Sequence, residues 1–94
     1  MTETQLEIAK ICDDIKELLL YKNLKYGNSA LEPIRVFSCA NNTEQLLVRI
    51  DDKLNRIKHG ENILYDDEDV IQDLIGYLVL LKISFNKASE ANEL

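Results

Sequence analysis

The sequence predicts an all-α fold, a small bundle of three main helices in one domain spanning residues 1–94. Three observations carry that expectation. Apolar residues recur at intervals of three and four in three long segments. Strand-like alternation is absent. Gly27, Pro33 and Gly60 fall between the segments, where a chain must turn.

The first helix is expected over Thr4 to Lys25, with Ile8, Ile11, Cys12, Ile15, Leu18 and Leu19 on one face. Gly27 follows and suits a left-handed cap. The stretch GNSALEPIRVFSCANN reads as mostly irregular, because Pro33 bars a regular helix through its start. A short helix around Ile34 to Cys39 is allowed there. Asn42-Thr43-Glu44 offers an N-cap for a second helix over Thr43 to Lys58, ended by His59-Gly60. The acidic loop ENILYDDED leads to a third helix, Asp67 to Lys87. Val70, Ile71, Leu74, Ile75, Leu78, Val79 and Leu81 give that helix a wide apolar face. The end, residues 88–94 with the sequence ASEANEL, is expected to fray.

A chain of 94 residues buries only about 60–65% of its unfolded surface. The third helix is apolar over more than half its circumference, Leu78, Val79, Leu81 and Ile83 included. A homo-oligomer, in the first place a dimer, is therefore expected.

The net charge of -6 argues against bulk DNA or RNA as a partner. It leaves room for a small phosphorylated ligand held by local cations. The N-terminal stretch MTETQLEIAK is polar and acidic rather than a signal region. No run of about 18 apolar residues is present, so no membrane span is expected. The setting this implies is cytoplasmic. Cys12 and Cys39 form no metal pattern with the single His59 and read as small buried residues in a reducing compartment. No phosphate loop, HExxH or nucleophile elbow occurs, so no catalytic residue is assigned.

Two charged stripes stand out. On the second helix Arg49, Lys53 and Arg56 fall within roughly 60° of arc, beside Leu46, Ile50, Leu54 and Ile57. Arginine forks bind phosphate oxygens bidentately. On the third helix Asp66, Asp69 and Asp73 share a similar arc, with Gly76 beside them. Clustered carboxylates repel unless a cation neutralises them. Mg²⁺ held by Asp69 and Asp73 is one solution. Ion pairs with the second helix are the other, and Asp52 can also pair with Arg49 and Arg56 within its own helix. A third element is YKNLKYG. Lys22 and Lys25 sit at the helix end, Tyr26 offers a ring to a base or to the core, and Gly27 to Ser29 leave N–H groups for phosphate. Tyr65 and Tyr77 read as partly buried packing residues.

KYGNS, LLVRIDDKLNRI and DEDVIQDLIGYLVLL together resemble the nucleotide modification associated domain 1 family, over about residues 22–81. Its members are small proteins of phages, prophages and bacteria. The resemblance implies a nucleotide-type ligand near Tyr26, Gly27, Arg49, Asp52, Lys53, Arg56, Asp69, Asp73 and Tyr77. An acid often precedes the Tyr-Gly pair in the family, where this chain has Lys25. The chain is more distantly similar to all-α nucleoside triphosphate pyrophosphatases, which bind Mg²⁺ through E-E-x-x-E and E-x-x-D. Here Asp51-Asp52-x-x-Asn55 lacks one acid, and Val70 stands where the second motif needs glutamate.

The expected function is binding of a nucleotide or nucleotide-derived ligand without turnover, through Lys22, Lys25, Tyr26, Gly27, Arg49, Lys53, Arg56 and Tyr77. A phage would use such a protein to sequester a nucleotide signal of host defence or to support nucleotide modification. The alternatives are a Mg²⁺-dependent nucleotide pyrophosphohydrolase using Asp69 and Asp73, and an interaction protein whose charge stripes are structural.

Overall fold

The computed structural model describes residues 1–60 and 69–92. It is an all-α arrangement of three helices, α1 (Glu3–Tyr26), α2 (Asn42–Lys58) and α3 (Val70–Asn92).

Each helix begins at a local signal. Thr2 and Gln5 form a reciprocal capping box at α1, each side chain meeting the other's backbone N–H. Asn41, one residue before the expected cap, accepts the Glu44 N–H at 2.8 Å and starts α2. Asp69 does the same for α3, taking the Gln72 N–H on Oδ1 at 2.8 Å. The expected start at Asp67 lies outside the described residues. α3 continues to Asn92, so most of the segment expected to fray is helical. Ala88, Glu90 and Ala91 favour helix, and neither glycine nor proline intervenes.

The segment between α1 and α2 is irregular as expected, and the short helix allowed at Ile34 to Cys39 does not form. Ile34, Val36 and Phe37 are 89%, 72% and 95% exposed, so no packing offsets the cost of nucleating one turn. The connection is tied down by polar contacts instead. The Arg35 guanidinium donates to the Ala40 carbonyl and to Asn42 Oδ1, while Asn42 Nδ2 donates to the Leu31 carbonyl.

α2 and α3 run antiparallel. Thr43 meets Ser84 through a hydroxyl pair at 2.7 Å near one end, and Lys53 meets Asp73 towards the other. Leu46, Ile50 and Val70 form the buried apolar core among the described residues. α1 also runs antiparallel to α3, with Leu19 against Gly76 and Lys22 beside Asp73. A Cβ on Gly76 would lie 3.0 Å from Leu19 Cδ2, so the missing side chain is what lets α1 approach. No residue of α1 is fully buried. Cys12 and Cys39, expected inside, are both exposed. Cys12 lies on the uncovered part of α1 and Cys39 in the irregular connection. No helix among the described residues is long and apolar enough to cross a membrane.

Candidate functional site

The end of α1 is shaped by Gly27, whose φ of 68° and ψ of -153° belong to a region open essentially to glycine alone. The expected positive φ is present, but ψ is extended rather than helical, so the chain leaves α1 sharply. The Gly27 N–H still reaches the Asn23 carbonyl at 2.7 Å. Asn23 Nδ2 then bridges to Asn28 Oδ1 at 2.8 Å and to the Gly27 carbonyl at 3.3 Å. The Asn28 carbonyl accepts from the N–H groups of Leu31 and Glu32, closing the turn back towards α3.

Between this turn, the last two turns of α1 and the middle of α3 lies a cleft of about 300 Å³. Its walls hold Lys22, Tyr26, Gly27, Asp73 and Tyr77, together with Leu18, Leu19, Leu31 and Leu80. Asn23, Asn28 and Ser29 add polar groups at the turn. An apolar hollow with a few polar groups at its edge is the usual form of a small-molecule site.

Charge at the cleft is organised around Asp73. Its Oδ1 lies 3.6 Å from Lys22 Nζ and its Oδ2 lies 3.5 Å from Lys53 Nζ. Both ammonium groups are drawn to this one carboxylate. Lys53 is buried, at 7% exposure, and stands behind Asp73 rather than in the cleft. Lys22 is nearly half exposed and lines it.

The sequence-predicted residues thus divide. Lys22, Tyr26, Gly27 and Tyr77 line one cleft. Lys25, Arg49, Lys53 and Arg56 do not. Lys25 sits over the Tyr26 ring, 5.2 Å from its centroid. Arg49 stands 5.9 Å from the centroid of Tyr77, a cation held on an aromatic face. Arg56 is half-buried on α2. The expected partnership of arginines with Asp73 is replaced by lysines, because the turn of α2 facing Asp73 carries Lys53 and the end of α1 supplies Lys22.

The proposed metal pair has other work. Asp69 caps α3, and Asp73 is held by the two lysines. No group of three or more His, Cys, Asp or Glu side chains among the described residues is placed to hold a metal ion. Sequence reading missed Asn23, whose bridge across five residues to Asn28 has no periodic signature; Asn28 itself falls within the Gly27 to Ser29 stretch expected to offer phosphate contacts.

A second hollow, about 450 Å³, lies between the connection and the facing ends of α2 and α3, with Arg35, Asn41, Asn42, Thr43, Ser84 and Lys87 around it. Its arginine is engaged by Ala40 and Asn42, and Thr43 and Ser84 are bonded to each other.

Comparison with known proteins gave no matching family, no matching curated protein and no matching solved structure.

Proposed function

We propose that this chain binds a nucleotide or nucleotide-derived ligand in the cleft at the end of α1, holds it without turnover, and works in the cytoplasm as a homo-oligomer. On this reading it is a phage-type protein of the nucleotide modification associated domain 1 kind, which sequesters a nucleotide signal or supports nucleotide modification. The observation that carries the reading is the meeting of Tyr26 and Tyr77 with Lys22 in one apolar cleft of about 300 Å³. Tyrosine faces accept a base by stacking, and Lys22 together with the turn N–H groups accepts phosphate. The basic stripe of α2 enters the reading as support behind the cleft, through Lys53 on Asp73 and Arg49 on Tyr77.

The test is direct. The purified protein is heat-denatured and the released small molecules are identified by mass spectrometry. Calorimetric titration against linear and cyclic nucleotides follows, with Tyr26→Ala and Lys22→Ala as variants. An intact nucleotide is expected in the wild type. Loss of one stacked base contact costs about 1–3 kcal/mol, and loss of one charge-assisted contact costs about 1.5–3 kcal/mol. Pyrophosphate released in the presence of Mg²⁺ would replace this reading by the hydrolase, with Asp69 and Asp73 as its candidates. Failure of every nucleotide to bind would leave the charged residues a structural role alone. That last reading has its own support in the ion pairs that already engage Lys22, Lys53 and Asp73.

A further inference from the structure

The apolar stripe of α1 is covered over only part of its length. Ile15, Leu18 and Leu19 are half-buried, and Leu19 reaches α3 at Gly76. Ile11 and Ile8 continue the same stripe one and two turns before Ile15, and they stand 55% and 56% exposed. Every residue from Met1 to Asp14 is exposed. Half of a 24-residue helix therefore has no cover among the described residues. A helical segment of about 12 residues is marginal in water without a packed face.

The whole chain tells the same story in area. Its accessible surface is 7527 Å². A compact monomer of this mass exposes about 5,500 Å². The radius of gyration is 15.5 Å. A compact domain of this length has a radius of about 12 Å. The surplus surface, about 2,000 Å², is shared between α1 and the connection with its exposed Ile34, Val36 and Phe37, and a standard interface takes roughly 800 Å² from each partner.

We propose that the N-terminal half of α1 is the interface for a second copy of this chain, Ile8, Ile11 and Ile15 packing on their counterparts across a two-fold axis. This deepens the homo-oligomer reading by locating its interface on α1 rather than on the apolar back of α3. A second copy fits because the patch suits itself. Its stripe of Ile8, Ile11, Cys12 and Ile15 carries no charge, so an identical stripe meets it without burying an unpaired ion. The residues follow an a–d–a spacing, the pattern of paired helices. The interface ends one turn before Leu18 and Leu19, which line the cleft, so association also steadies a wall of the ligand site.

Sedimentation equilibrium at micromolar to tens of micromolar concentration, without added nucleotide, is the test. Wild type is expected to run as a dimer. The double variant Ile8→Glu/Ile11→Glu is expected to run as the 10.8 kDa monomer, its dissociation constant raised at least 100-fold. Both side chains are more than half exposed, so the single-chain core is untouched, and circular dichroism should show helix lost from α1 at most. Leu78→Glu/Phe85→Glu, on α3, is expected to remain dimeric. If the α3 variant dissociates and the α1 variant does not, the α1 interface is wrong while the oligomer stands. If wild type is monomeric throughout, both are wrong. Monomeric protein that binds anionic vesicles through α1 would assign the stripe to a lipid surface instead.

Discussion

α2 and α1 differ in what their apolar faces meet. α2 buries Leu46 completely, with Ile50 and Lys53 beside it, against a neighbour that runs its whole length from Ser84 to Asp73. α1 is longer and equally well capped, yet it buries nothing fully and touches α3 only towards its C-terminal end. Capping and periodicity are thus sufficient to define a helix, but a covering surface makes it part of a core. The residues lining the cleft lie where the two regimes meet, at the end of α1 that α3 does cover.

The comparison breaks most readily at Leu46. Leu46→Ala leaves a cavity between α2 and α3 and should cost about 3–4 kcal/mol, read from the urea midpoint. No side-chain truncation between Glu3 and Asp14 of α1 should approach that value at concentrations below the association range.

Asp73 comes next. Asp73→Asn removes the carboxylate that Lys22 and the buried Lys53 share and should destabilise by about 1.5–3 kcal/mol. Lys22→Ala removes the half-exposed partner of the same carboxylate and should cost at most about 1 kcal/mol. Equal losses in the two variants would mean that Lys53 is not held as described. Adding Mg²⁺ should not restore the melting temperature of Asp73→Asn.

Gly27→Ala should cost about 1–3 kcal/mol, because it forces a side chain into a backbone region that only glycine tolerates. Nothing lies within 4 Å of the added Cβ, so the cost is conformational rather than steric. Thermal melts measure it, and titration against nucleotides tests whether the turn also shapes the cleft. Asn41→Ala should cost about 1 kcal/mol through the lost α2 cap. Leu24→Ala, at 86% exposure on α1, should change stability by less than about 0.5 kcal/mol.

The three helices, their order and most of their ends follow from local chemistry: capping side chains, Gly27, Pro33 and apolar spacing act within a few residues. Lys22, Tyr26 and Gly27 were legible as a group for the same reason, since they lie within one turn and its cap. The fate of the charged stripes was not legible. Arc position says which side chains share a face, but not which neighbour faces them. Only the antiparallel crossings of α1 and α2 with α3 bring Lys22 and Lys53 to Asp73, Arg49 to Tyr77, and Leu19 to the bare backbone of Gly76. Periodicity gave Ile8 and Leu19 the same stripe on α1, and it assigned Cys12 to the interior. The tertiary structure half-covers Leu19 and leaves Ile8 and Cys12 open, because burial depends on the reach of a neighbouring helix and not on the spacing of a residue within its own.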